Sequence, residues 1–485
     1  MAKDKLVDYD STASNNLDVG GISVAEGMLP SNVNNAIREQ MSHLKDFAEG
    51  TQPINALAVD NLRMDGNSII STDTNGDIIL DPNGTGKVDI NGNLDVDGGT
   101  IKLDGNYPVG TGNVALGDTA LDDGSLSGNN NTAVGSNSLT ANTTGAENTS
   151  VGMQSLDANT TGGSNTGIGV NALTSNTTAS DNTAVGRDSL QTNTTGSENV
   201  ALGRSALAAN TIASHGTAVG REALNSNTTG AENSAFGSGA LVNNTTGSYS
   251  VGLGRYALAL NTTSSYNTAV GYQTLYNTAT IGANTAVGYQ AGYSTTANYL
   301  TAFGYGAAHS TTSGNIAAFG YEAGYNNTTG TANTAIGRYR PLYSNTTGNY
   351  NTAIGGQSLY SNTTASNNTA VGYQAGYSNN TGTNNTAVGV QALVSNTTGT
   401  GNTALGTNAL DGNTAANYST AIGFEALSGA NTGSNVAVGK QALVVNTSGT
   451  SNTAVGRETL YNNTTGSYNA TLGGFALEEN TTGSN

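Results

Sequence analysis

Asn385-Thr386-Ala387-Val388-Gly389-Val390-Gln391-Ala392-Leu393-Val394-Ser395-Asn396-Thr397-Thr398-Gly399-Thr400-Gly401 is one full period of this chain. The glycine after Ala-Val marks the register. Gly135, Gly152, Gly169, Gly186, Gly203, Gly220, Gly237, Gly254, Gly271 and Gly288 follow one another at steps of 17 residues. The series begins at Gly117 and continues through Gly304, Gly320, Gly337, Gly355, Gly372, Gly389, Gly406, Gly423, Gly439, Gly456 and Gly473, with occasional steps of 16 or 18. A period held over 22 copies is the mark of a repeat architecture, in which each unit buries its few apolar side chains against the next.

The unit holds two short apolar pieces and two turns. The first is Thr-Ala-Val-Gly, with Val, Ile, Leu or Phe before the glycine, as at Val134, Ile168, Phe236, Val287 and Ile354. The second is Ala-Leu, as at Ala206-Leu207 and Ala392-Leu393. Asn-Thr-Thr-Gly between them is turn chemistry, because Asn and Gly tolerate the left-handed region and Thr can bond its own backbone. Seventeen residues are too few for a strand–helix–strand unit but suffice for one coil of a parallel β-roll. The fold expected is an all-β parallel β-roll or β-solenoid fibre. At about 4.8 Å per coil it would be a rod on the order of 100 Å long.

Composition agrees. The 485 residues include 67 glycines, five prolines, no tryptophan and no cysteine. Charged residues make up 10%, against roughly 25% in an ordinary globular chain, so a broad three-dimensional core is not expected. The net charge of −18 is concentrated early: 20 of the 33 acidic residues precede residue 124, and beyond it 13 acids face 8 bases. Nothing there favours nucleic acid or an anionic membrane. No apolar run approaches the ~20 residues of a membrane span. Met1-Ala2-Lys3-Asp4-Lys5-Leu6 shows no apolar signal-peptide core, so a product made without secretion is expected. Three scattered histidines, His43, His215 and His309, suggest neither a metal site nor a triad. No catalytic constellation and no cofactor are expected.

Alternation along the first strand places Val and the Thr two before it on one face and the intervening residue on the other. That intervening column reads Ala133, Ser150, Gly167, Ala184, Ala201, Ala218, Ala235, Gly252, Ala269 and Ala286. It is small and never charged, which suggests tight packing against something. With Val and Thr taken as the inward pair, Ala133, Ala184, Ala201, Ala218, Ala235, Ala269 and Ala286 become the candidate contact between chains of a homotrimer. The alternative is that alanine simply fits a thin solenoid interior.

Two further columns vary in a patterned way. Directly after the repeat glycine stand Arg187, Arg204, Arg221, Arg255, Arg338, Lys440 and Arg457, and in the middle section Tyr272, Tyr289, Tyr305, Tyr321 and Tyr373. Four residues further on come Tyr276, Tyr293, Tyr325, Tyr360, Tyr377 and Tyr461. Stacked coils would turn these columns into ladders. Such a stripe could take a host-surface glycan through its aromatic faces, or simply stiffen the rod. The recurrent Asn-Thr-Thr reads as turn residues and stacked Asn rows.

The first hundred residues differ. Residues 1–29 are polar without clear period. Residues 30–50 read as a short helix, capped by Ser31 and stopped at Gly50, with a seam of Ile37, Met41 and Leu44 suited to a trimeric coiled coil or to docking. Residues 51–110 read as short strands with tight turns at Asn75-Gly76, Asn83-Gly84, Asn91-Gly92 and Asp104-Gly105. Residues 111–485 are the repeat.

Two resemblances follow. The stretch from Leu6-Val7-Asp8-Tyr9-Asp10 through Gly20-Gly21-Ile22-Ser23-Val24 to Gln40-Met41 resembles the N-terminus of tail-fibre-like structural proteins of marine bacteriophages. Leu62-Arg63-Met64-Asp65-Gly66-Asn67 and Gly76-Asp77-Ile78-Ile79-Leu80 resemble their β-shaft segments. The repeat is similar to the head repeats of trimeric autotransporter adhesins, though its period is longer. These resemblances imply a trimeric, non-enzymatic shaft on a virion, attached through its N-terminus to the particle or a neighbouring fibre component. A cell-surface adhesin or an extracellular filament polymerising end to end is the alternative. Ice binding by Thr rows is disfavoured while Thr is taken to point inward with Val.

Overall fold

The computed structural model describes residues 111–484 apart from Ile281, Ser313 and Asn431, together with residues 18–19, 22–23, 38, 41 and 45. The chain divides into two units, residues 1–99 and 100–485. In the first, strands β1 (Asp18–Val19) and β2 (Ile22–Ser23) pair antiparallel, Val19 opposite Ile22. Arg38, Met41 and Lys45 are helical, and Met41 is buried. Ile37 and Leu44 of the expected seam, and the expected strands of 51–110, lie outside the described residues.

In the second unit, one short strand recurs in every period. Twenty-two strands, from β3 (Val114–Leu116) to β24 (Ala470–Leu472), follow one another along the chain. Each lies parallel to the next, and apart from one shift between the strands at Ile316–Tyr321 and Asn333–Tyr339 they are in register: Thr369 faces Thr386, Ala370 faces Ala387 and Val371 faces Val388. The unit is a parallel β-solenoid of tandem coils.

Most coils turn at the repeat glycine, though β15 (Ile316–Tyr321) and β16 (Asn333–Tyr339) run through theirs. Gly203 has φ 134°, and a Cβ there would lie 2.6 Å from the carbonyl oxygen of Gly220. Two residues on, Ser205 enters the left-handed region at φ 56°, and Leu207 does so at φ 51°. That conformation costs an L-residue about 1–2 kcal/mol. Leu207 is 1% exposed, and full burial of a leucine is worth about 1.5–3 kcal/mol, so burial wins. Turns bond from coil to coil as strands do, with Leu207 N–H donating to Ala223 O at 3.0 Å.

The interior corrects the expected orientation of the strand. Ala133, Ala184, Ala201, Ala218, Ala235, Ala269 and Ala286 are all 0% exposed within their own chain. They line the solenoid core with the Leu column and the small residue before it. Thr and Val are the outward pair: in Thr183–Val185 the ends are half-buried and Ala184 is buried. The alanine column therefore offers nothing to a neighbouring chain, and the thin-interior alternative describes it. Room is the reason. At Gly167, in the same column, a Cβ would already lie 2.6 Å from Ser155 Oγ and 3.3 Å from Leu156 Cγ.

Two rows of asparagine complete the core. Asn193 Nδ2 donates to Asn176 Oδ1 at 3.0 Å and to Gly196 O at 2.9 Å. Asn199 donates its backbone N–H to Asn182 Oδ1 at 3.0 Å and its Nδ2 to Ala213 O at 2.9 Å. Buried amides thus satisfy one another and the turn carbonyls, which a dry interior demands.

The pattern changes in the middle coils, where the Leu column reads Gly292, Ala308 and Gly324. Leu300 and Ile316 there stand in the asparagine row, buried at 1% and 2% exposure. A Cβ at Gly292 would lie 2.7 Å from Leu300 Cδ2 and 2.8 Å from Leu275 Cδ2. At Gly292 and Gly324 apolar volume has moved from one column to the next, since a Cβ at Gly324 would likewise lie 2.9 Å from Ile316 Cδ1. Asn284 Nδ2, at the end of its interrupted row, is buried without a partner.

Candidate functional site: the tyrosine ladders

The residue after each corner glycine and the residue four further on both lie on the surface, and in-register coils place equivalent side chains directly over one another. Tyr272, Tyr289, Tyr305 and Tyr321 stack with ring centroids 5.4, 4.9 and 5.2 Å apart. Tyr339 extends this ladder at 5.6 Å from Tyr321. It takes the place expected for Arg338 because the register shifts beyond Phe319 between β15 (Ile316–Tyr321) and β16 (Asn333–Tyr339). Tyr373 lies in the same column two coils on, beyond Gly356.

The second column runs unbroken from Tyr276 through Tyr293, His309, Tyr325, Tyr343 and Tyr360 to Tyr377, with centroid spacings of 4.6–5.6 Å. His309 and Tyr343 were missed in the sequence, the first because it is not a tyrosine. The second was missed because the coil has gained a residue before it. Tyr461 is in this column but outside the stack. A further pair, Tyr249 and Tyr266, stacks at 5.3 Å at the last position of the repeat.

Stacking limits what the ladders can bind. A ring with neighbours on both sides presents its edge and hydroxyl, and its faces are covered. Inside each ladder the aromatic faces that would hold a sugar are occupied by the next rung.

One ion pair joins the two columns. Arg340 Nε donates to Glu322 Oε2, and both side chains are largely buried. The guanidinium also lies 4.8 Å from the Tyr343 centroid and 5.0 Å from that of Tyr339. The carboxylate holds Arg340 protonated above the ordinary arginine range. In the column after the corner glycine, Arg187, Arg204, Arg221 and Arg457 form ion pairs through exposed guanidinium groups, such as Arg204 with Glu222 at 3.0 Å, whose contribution to stability is small.

His309, wedged between Tyr293 and Tyr325, has its pKa lowered by burial, with the Glu322 carboxylate opposing part of the shift. Folded His309 therefore releases its proton more readily than the unfolded chain does. Its stability contribution is full above the ordinary imidazole value and declines as pH falls from there to the lowered folded value. NMR titration of the His309 ring should give a midpoint below that of the urea-unfolded chain, and His309→Tyr should remove the decline. An equal or higher folded midpoint would contradict this account.

Among the described residues no three His, Cys, Asp or Glu side chains are grouped to hold a metal ion, and no helix is long and apolar enough to cross a membrane. The fold and surface define a tandem-repeat β-solenoid, an architecture typical of structural proteins. Compared with protein-family models, curated proteins and solved structures, the chain matches none.

Proposed function

We propose that this chain is the non-enzymatic shaft of a homotrimeric fibre, and specifically of a bacteriophage tail fibre used in host attachment. The observation that carries the reading is the outward strand face. Val134, Val185, Val219, Val270, Val287 and Val371 repeat on it once per coil with the Thr two residues before each, half-buried and without charge. Exposed residues such as Ile168, Leu202, Phe236, Leu253, Ile354 and Leu405 continue the same row. An apolar stripe along a rod of about 100 Å is more than a lone soluble chain ordinarily exposes. Chains of the same sequence would meet along it with matching repeats. Residues 1–29 would attach the fibre to the virion or to a neighbouring fibre component, and a host-surface glycan would meet the tyrosine columns only where a ring face is left open.

The test is the mass and shape of the purified chain, by analytical ultracentrifugation and electron microscopy. A three-chain rod is expected, and lysines at Val185, Val219, Val270 and Val287 should reduce it to single chains. Burying even one unpaired ammonium costs several kcal/mol. A monomeric wild type would overturn the trimer. Outward Thr also removes the earlier objection to ice binding, which needs this same face free. A monomer showing thermal hysteresis would transfer the face to that function.

A further inference from the structure

The first tyrosine ladder lacks one rung. Backbone bonding fixes the register around the gap: Gln357 N–H donates to Tyr339 O at 2.8 Å, and Gln374 N–H donates to Gly356 O at 2.9 Å. Gly356 therefore occupies the rung between Tyr339 and Tyr373. Nothing in the backbone requires glycine there. Its φ is outside the left-handed region, and a Cβ would meet only Tyr373 ring carbons, at 3.5 and 3.9 Å. That is ordinary contact, in contrast to the corner glycines.

Among the described residues no ring stacks on Tyr339 or Tyr373 from the Gly356 side, and the two tyrosines are 43% and 52% exposed. The Arg340 guanidinium reaches back to Glu322 in the preceding coil and lies 5.0 Å from the Tyr339 centroid and 6.0 Å from that of Tyr321. Two rungs at the ladder's centroid spacing of 4.9–5.6 Å would put the two ring centres about 10 Å apart, and contact on both faces of an inserted ring takes roughly 7–8 Å. Beside the gap runs a row of glutamine amides. Gln391 Nε2 donates to Gln374 Oε1, and Gln374 Nε2 to Gln357 Oε1, both at 3.1 Å. Gln357 Nε2, the donor end of that row, has no protein partner among the described residues.

We propose that the Tyr339–Gly356–Tyr373 gap is a binding slot for one six-membered ring of a neutral glycan. The electron-rich faces of the two tyrosines meet the C–H faces of the sugar, and the free Gln357 amide donates to a ring hydroxyl. Neutrality follows from the surroundings. From residue 256 to residue 410 the chain has three charged residues, Glu322, Arg338 and Arg340. The first and last are spent on each other. The slot rests on the attachment reading for its biological use, and its chemistry is testable separately.

The experiment is calorimetric titration of the full chain with cellohexaose, chitohexaose and maltohexaose, and with a galacturonate hexamer as acidic probe. At least one neutral probe should bind at millimolar concentration or below. Gly356→Tyr, which supplies the missing rung, and Tyr373→Ala, which removes one wall, should each weaken it at least tenfold. Tyr461→Ala, away from the gap, should leave it unchanged. Circular dichroism and rod length on the same samples establish folding, and should Gly356→Tyr misfold, Tyr373→Ala decides. Failure of all three neutral probes, preference for the acidic one, or unaltered binding in Gly356→Tyr would overturn the slot. Oligomeric mass, measured in parallel, judges the fibre reading by itself.

Discussion

Gly203→Ala should destabilise the solenoid by at least about 3 kcal/mol. The new Cβ would meet Gly220 O at 2.6 Å and Gly220 C at 2.7 Å, and φ 134° is a conformation side-chain-bearing residues avoid. Neither contact is with a flexible group, so relief means moving the next coil. In a one-dimensional stack that displacement interrupts the ladder locally, because each coil is stabilised only by its neighbours. Urea denaturation should show the loss, and limited proteolysis should show new cleavage near residues 203–220. Gly356→Ala is the control, since its Cβ makes ordinary contact and its effect should stay within about 0.5 kcal/mol. Equal stability of the two variants would mean that the corners are not tightly packed.

The second large effect concerns the displaced apolar volume. Gly292→Leu restores the consensus residue yet should destabilise the protein by about 1–3 kcal/mol or more, because Leu300 and Leu275 already fill the site. Leu300→Asn also restores a consensus residue and should cost about 2–5 kcal/mol, by emptying the space beside Gly292. Together the two should recover most of the loss, with a coupling of at least about 2 kcal/mol in a double-mutant cycle of urea midpoints. Additive losses would show that the two columns do not share one volume.

Much of the surface was legible because in-register stacking converts sequence spacing directly into spatial neighbours. Tyr272 to Tyr321 and Tyr276 to Tyr377 are ladders for that reason alone. Spacing failed where the period changed. The coil from Asn333 to Tyr350 has 18 residues, and the extra one moves Tyr339 rather than Arg338 into the first ladder and Tyr343 into the second. The open rung at Gly356 could be read only after that correction, because its significance depends on Tyr339 standing next to it. Repetition could suggest glycan stacking, but only coordinates show that ring faces inside a ladder are covered.

The sequence by itself determined the period, the parallel order of the strands, the buried Leu and the stacking of the turn asparagines, since a short unit can satisfy its backbone only against its neighbours. It did not determine which face of the strand is inside. Alternation separates Ala184 from Thr183 and Val185, but it is silent on direction, and the more apolar residue is not always the inward one. Tertiary structure decided the matter through volume. Leucine and two asparagines from the turns already occupy the narrow interior, leaving space for a methyl group and sending valine to the surface.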